Sequence, residues 1–363
     1  MVDTLRSGWI GTGPRTERFE RMFAEYVGAA HAVGVSSGTA ALHLSLLAAG
    51  IGEGAEVITS PMTFCSTANA IVHAGATPVF ADVDPATGNL DPDLVAEAVT
   101  DRTAAILPVH YAGRPCRMDS LRAIVEAHGL LLIEDGAHAV GGAFGGLRVG
   151  AIGDATCFSF YVTKNLMTGE GGMVTTRDAE LASRVRRLSL HGMSRDAWER
   201  FSVDTFRHYE VMEPGFKNNM TDIQAAMGIH QLAKLDRGLE RRREIWSAYD
   251  AGLADLPLQL PAPEEPDTVH ARHLYTVLVD TDRSGKPRDR VLDDLIERRI
   301  GTGVHYRPAH LHPWYRERFG HAEGDFPHAE SMGARTLSLP LSAGLTDRDV
   351  TDVVEAVTEV MSA

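Results

Sequence analysis

The sequence predicts an α/β protein, with a mostly parallel seven-stranded sheet in a large N-terminal unit and a smaller α+β unit behind it. Three observations lead there. Short, largely apolar runs of strand character recur at 32–35, 56–59, 78–82, 104–109, 130–134, 155–160 and 172–175. Helix-like segments at 39–49, 65–74, 118–128 and 179–188 fall between several of them. Many of the runs are continuously apolar rather than alternating, which places their strands in a sheet covered on both faces. Ligands of such sheets bind outside the carboxyl ends of the strands, so those ends are where chemistry is sought.

In chain order, the run 32–35 leads into Ser36-Ser37-Gly38-Thr39-Ala40-Ala41-Leu42, which follows a strand and opens a helix. Leu130-Leu131-Leu132-Ile133 runs into Glu134-Asp135, and 155–160 runs into a segment that carries Lys164. Gly169-Glu170-Gly171-Gly172 precedes the last run. A long helical stretch is expected over 221–253, with Gln231-Leu232-Ala233-Lys234-Leu235 in its middle. Residues 257–266 are rich in proline and acid and read as a linker. Beyond it, strands are expected at 274–279, 303–306 and 335–339, and helices at 289–299 and 347–361. The expected division is a large unit over 1–250, which includes an N-terminal substrate segment, and a small α+β unit over 251–363.

Composition narrows the function classes. A chain of 363 residues with 44% hydrophobic content can bury a large core. Its 35 basic against 49 acidic residues, a net charge of -14, argue against nucleic acid or an anionic membrane as partner. A phosphorylated small molecule needs only a local positive pocket and stays open. Cys65, Cys116 and Cys157 are widely spaced with no CxxC, which suits free thiols in a reducing cytoplasm better than disulfides or zinc. The first residues lack an apolar signal core and no run approaches the length of a membrane span, so a cytoplasmic protein is expected.

The pair of segments Ile133-Glu134-Asp135-Gly136-Ala137-His138 and Phe158-Ser159-Phe160-Tyr161-Val162-Thr163-Lys164-Asn165 carries the chemistry. An acid stands at one strand end; a hydroxyl and a lysine follow the other. Pyridoxal phosphate needs that combination, because its aldehyde requires an amine and its ring nitrogen a carboxylate. Each group alone has a plainer reading. Ser37 or Thr39 could simply cap a helix rather than open a phosphate site, Asp135 could be a surface acid, Lys164 a solvated charge, and the glycines a turn. Their order and company favour the cofactor. Gly141-Gly142-Ala143-Phe144-Gly145-Gly146 does not give a dinucleotide fingerprint and reads as a hairpin turn. His305, His310 and His312 read as part of a polar, aromatic substrate-contacting segment; with no carboxylate or cysteine completing a ligand set, no metal is expected.

With these motifs in place the chain resembles, essentially end to end, the DegT/DnrJ/EryC1/StrS sugar aminotransferases of the fold-type I pyridoxal phosphate class. The likeness runs through Ser7-Gly8-Trp9-Ile10-Gly11-Thr12-Gly13-Pro14, Ser37-Gly38-Thr39-Ala40-Ala41-Leu42, Pro61-Met62-Thr63-Phe64, Glu134-Asp135-Gly136-Ala137-His138-Ala139, Phe158-Ser159-Phe160, Lys164-Asn165 and Gly169-Glu170-Gly171-Gly172. The resemblance implies that Lys164 holds the cofactor as a Schiff base and Asp135 pairs with its ring nitrogen. Gly38, Thr39 and Ser159 would hold its phosphate, Phe64 would cover one ring face, and His138 would lie near the ring or its hydroxyl. The stretch Gly215-Phe216-Lys217-Asn218-Asn219-Met220 looks like the family's loop to the neighbouring subunit's phosphate, which assigns that contact to Asn219 and implies a homodimer. Gly301-Thr302-Gly303-Val304-His305-Tyr306-Arg307-Pro308-Ala309-His310 resembles the substrate segment of enzymes that aminate UDP-4-keto-pentose; His191-Gly192-Met193 before Trp198 fits as well. Substrate contacts are therefore expected from Gly11, Thr12, Lys217, His305 and Tyr306.

The reaction so implied is a transamination in which L-glutamate converts the cofactor to pyridoxamine phosphate and a 4-keto nucleotide sugar then takes the amine. The family's dehydratases carry histidine where Lys164 stands. Another fold-type I reaction, or a catalytically idle sugar-nucleotide-binding protein, are the rival readings.

Overall fold

The computed structural model describes residues 1–194 and 209–362; Trp198 lies outside them. The seven expected strands all form. They are β1 (His31–Val35), β2 (Glu56–Thr59), β3 (Thr77–Phe80), β4 (Thr103–Leu107), β5 (Leu131–Asp135), β6 (Ala155–Ser159) and β7 (Gly172–Thr176). They make one sheet in the order β1-β7-β6-β5-β4-β2-β3. The pairs β2–β3, β2–β4, β4–β5 and β5–β6 are parallel, and β7 runs antiparallel to both its neighbours.

Because side chains alternate along a strand, both faces need cover. Ile133, Cys157 and Val174 pack with Leu42, Leu44, Leu46, Val185 and Leu188 from the helices Gly38–Ala48 and Ala179–Ser189. On the opposite face, Phe158, Phe160 and Met173 meet Phe19 and Phe23 of helix Pro14–Val27, together with Ala225 and Ile229. Leu132 packs with Met118 and Leu121 of helix Met118–His128. The strand ends Asp135 and Ser159 thus emerge at one edge, each carried by a strand anchored on both sides.

Three expectations change. The stretch 221–253 is two helices, Asp222–Leu232 and Leu235–Leu253, broken at Ala233 and Lys234. Both sides of the break pack on the core that holds Phe19, through Leu232, Leu235 and Leu239, and only the later turns of the second helix reach the C-terminal core. Gly228 packs so closely on Phe19 that a Cβ would stand 2.5 Å from the ring, whereas Ile245, Trp246, Tyr249 and Leu253 join the C-terminal core. Part of the expected linker is a strand: Leu258–Gln259, with Leu258 buried, pairs antiparallel with Tyr275–Val279, which pairs in turn with Thr336–Leu339. The expected strand at 303–306 contributes only the bridge of Gly303 to Ser338; beyond it the chain leaves the sheet, with His305 bonded to Ser338 and Tyr306 to His138. The segment after Gly142 is the expected hairpin, Ala143–Phe144 against Leu147–Arg148, turning at Gly145 and Gly146 with φ of 58° and 79°. No helix among the described residues is long and apolar enough to cross a membrane.

Candidate active site

Asp135 ends β5 and is buried. Its Oδ2 accepts a hydrogen bond from the Thr67 hydroxyl at 2.7 Å, and its Oδ1 accepts one from the Ala137 N–H at 3.0 Å. Burial raises its carboxyl above the ordinary range, while Thr67, Ala137 and the charge of Lys164 pull it back. Lys164 follows β6 in a tight loop whose ends are tied by Phe160 N–H to the Gly171 carbonyl and Thr168 N–H to the Phe160 carbonyl. Burial lowers its amine from the usual 10.5 to about 8, against the opposing pull of Asp135. A lysine so placed exchanges its proton near neutral pH, as a nucleophile and base must.

A cradle forms where β1, β6 and β7 converge. A Cβ on Gly38 would stand 2.8 Å from the Ser159 Cβ, and one on Gly172 would stand 2.3 Å from the Ser37 carbonyl oxygen. Only glycine permits that approach. Ser37 caps the helix Gly38–Ala48 by accepting the Ala40 N–H, which leaves the first-turn N–H groups of Gly38 and Thr39 to an anion. The plainer reading of this motif holds, with Ser37 as the cap, and the N–H groups beside it are the candidate phosphate site. Thr39 is exposed, and Ser159 Oγ accepts the Tyr161 N–H at 3.4 Å. The phosphate cradle, the carboxylate and the lowered lysine are the donor set that pyridoxal phosphate requires, so the residues fit that cofactor.

Beside them, His138 is buried; its Nε2 shares a hydrogen bond of 3.0 Å with the Tyr306 hydroxyl and its Nδ1 has no partner among the described residues. Its ring stacks near Tyr306 and lies 4.4 Å from that of His273. His138, His273 and His305 are all held below the usual imidazole value by burial, with the charge of Lys164 adding to it, and His305 falls to about 4. All three are therefore neutral at pH 7. Phe64 is exposed, with its ring 6.3 Å from Tyr306.

The structure does not draw every expected residue into this cluster. Asn219 bridges to Val35 at the end of β1, and its amide donates to Thr12 Oγ1 at 2.7 Å within the same chain. The carbonyl of Gly11 accepts the Asp222 N–H. Lys217 is exposed and bridges Leu190 through its backbone. His310 bonds Glu330 at 3.0 Å, away from His305.

Other residues were missed. Thr67 and Thr63 lie after β2, 68 positions from Asp135 in the case of Thr67. Asn165 is clamped between the Ala271 carbonyl and His273, which fastens the Lys164 loop to the segment after the C-terminal linker. Asp222, buried, collects the N–H groups of Gly13, Arg15 and Thr16 and the Thr16 hydroxyl, capping the helix Pro14–Val27 behind Thr12. No sequence signal pairs Thr67 with Asp135 or Asn165 with His273. Asp222 stands inside a quoted motif and could have been found as a cap.

Residues 1–358 match the model of the DegT/DnrJ/EryC1/StrS aminotransferase family. The spore coat polysaccharide biosynthesis protein SpsC of Bacillus subtilis is 51% identical over 99% of this chain and 93% of its own. Among solved structures, Spr1654 of Streptococcus pneumoniae, assigned as a sugar aminotransferase and seen in its PMP form, superposes with a TM-score of 0.93 at 34% identity, covering 99% of this chain and 95% of its own. DesV of S. venezuelae superposes with a TM-score of 0.91 at 40% identity, over 100% and 93%.

Proposed function

This chain belongs to the DegT/DnrJ/EryC1/StrS aminotransferase family and is a pyridoxal phosphate-dependent sugar aminotransferase of fold type I; from that premise we propose that it moves an amino group from L-glutamate to a 4-keto sugar carried on a nucleotide. The observation that carries the reading is the convergence of the open carboxylate of Asp135, the lowered amine of Lys164 and the cradle at Gly38, Ser159 and Gly172.

When bound, the cofactor supplies an electrophilic carbon for amines and a ring that takes up the electron pair left by a departing proton. Asp135 would hold the proton on the ring nitrogen, which would keep the ring able to do so. Lys164 would hold the cofactor's aldehyde carbon, and its Nζ, lowered to about 8 by burial, is the base that would take the proton from the donor's Cα. Gly38, Thr39 and Ser159 would hold the phosphate, Phe64 would cover one ring face, and His138 would lie near the ring or its hydroxyl. A neutral His138 with a free Nδ1 can serve the cofactor's hydroxyl without adding charge against Lys164.

For the acceptor, Gly11, Thr12, Lys217, His305 and Tyr306 are the proposed contacts. Tyr306 supports this, since its hydroxyl meets His138 at the site. The part of SpsC in spore coat polysaccharide biosynthesis agrees with a sugar destined for a polymer. A cytoplasmic homodimer is part of the proposal: Trp9, Ile10, Tyr161, Val162 and Phe216 are exposed apolar side chains on segments that build or flank the site, and a second copy would cover them. In that dimer Asn219 would reach the partner's phosphate.

The test is the absorbance spectrum of the protein reconstituted with pyridoxal phosphate, before and after L-glutamate, followed by a panel of 4-keto nucleotide sugars. A visible band that moves to the near ultraviolet with glutamate and returns with one of the sugars is expected. A band indifferent to glutamate overturns the donor, and one that no such sugar restores overturns the acceptor.

A further inference from the structure

Asp135 is steered by two hydroxyls to which no role has yet been given, Thr67 and, inside the Pro61–Phe64 motif, Thr63. Thr67 Oγ1 lies 2.7 Å from Asp135 Oδ2, and Thr63 Oγ1 lies 2.6 Å from Thr67 Oγ1. Both threonines are buried, Thr67 in the first turn of helix Ser66–His73 and Thr63 in the loop before it. An ionised carboxylate only accepts, so Thr67 must donate to Asp135. A hydroxyl has one proton, which is then spent, and the bond between the threonines must be donated by Thr63. The chain therefore runs in one direction, Thr63 to Thr67 to Asp135, as long as Asp135 is charged.

Ala137 N–H grips the other oxygen at 3.0 Å, so the carboxylate is held from both sides and its plane cannot turn. We propose that Thr67, backed by Thr63, is the positioning residue of Asp135, fixing the orientation in which a carboxylate lone pair faces the cofactor's ring nitrogen and favouring its charged form. The inference rests on Asp135 as partner of that nitrogen. Without this donor the buried acid would keep only the Ala137 N–H against desolvation, with Lys164, His110, Tyr306 and Cys157 as its remaining titratable neighbours.

The experiment uses the apoprotein. The affinity for pyridoxal phosphate is measured by absorbance titration from acid to mildly alkaline pH for the wild type, Thr67→Val, Thr67→Ser and Thr63→Val, with thermal melts of each. Affinity falls on the acid side as Asp135 takes a proton and ceases to accept from the ring. Removing one charge-assisted hydrogen bond moves that limb upward by about one pH unit in Thr67→Val. Thr67→Ser keeps the hydroxyl and should lie on the wild type. Thr63→Val, which does not touch Asp135, should move the limb the same way by less. A Thr67→Val curve superimposed on the wild type, or Thr67→Ser and Thr67→Val displaced alike, would overturn the proposal. If Thr67→Val does not fold, an unmoved Thr63→Val curve overturns it. A wild type that binds no cofactor would instead overturn the reading of the site.

Discussion

Glu134 and Asp135 are neighbouring carboxylates on one strand, and the alternation of side chains sends them to opposite faces of the sheet. Glu134 is closed. Its Oε2 meets His110 Nε2 at 2.8 Å, and its Oε1 accepts the Gly153 N–H and the Thr156 hydroxyl, each at 2.7 Å. His110 is closed in turn, because its Nδ1 accepts the Cys116 N–H at 3.1 Å, which makes Nε2 the donor to Glu134. Asp135 is open: two donors, a nearby lysine and room for one more proton on its lone pairs. A buried acid held by three protein donors serves the fold, and one held by two, with room left beside a lysine, serves a ligand.

The largest effect that could break this contrast is on Lys164. Lys164→Ala should reduce keto-acid formation from glutamate by about 10⁴-fold or more, since it removes both a positioned base and the covalent hold. Turnover near the wild-type level would remove the open site from the chemistry. Next is Glu134→Ala, which strips the partner from His110, the Gly153 N–H and Thr156 together. It should cost about 3–5 kcal/mol in denaturant unfolding, the scale for breaking a buried pair, while turnover per folded molecule changes by less than about tenfold.

Asp135→Asn should do the reverse. Turnover should fall roughly 10²–10³-fold, the scale of losing one fixed electrostatic partner, with no loss of apoprotein stability at pH 7. The sign follows from the raised carboxyl. A group bound to its proton more tightly when folded stabilises the fold at acid pH, and that contribution is lost as pH rises through the folded value. At neutral pH the buried Asp135 carboxyl is therefore a burden that asparagine lifts, and the gap between variant and wild type should close on acidification. Thermal melts across pH read it directly; a variant less stable than the wild type at pH 7 would make Asp135 a structural acid like its neighbour.

Much of this was legible in the chain. The seven apolar runs fall within two residues of the strands, because continuous burial leaves an unbroken apolar signature. Asp135 and Lys164 were found because strand ends and glycine turns mark themselves locally. What failed had the opposite character. The break at Ala233 and Lys234 carries no glycine or proline to mark it in the sequence. Gln259 and Leu258 became a strand because Val279 and Leu278 were there to pair with them.

By itself, then, the sequence determined the sheet, its cover of helices and the residue types at each strand end, all consequences of short-range pattern. Only the tertiary structure decided which of the two acids at 134 and 135 is closed and which is open. It also brought Thr67 and Thr63 to Asp135, His273 to Asn165 and Tyr306 to His138. Those partners lie far apart along the chain, and hydrogen-bond satisfaction is a property of space that no local pattern records.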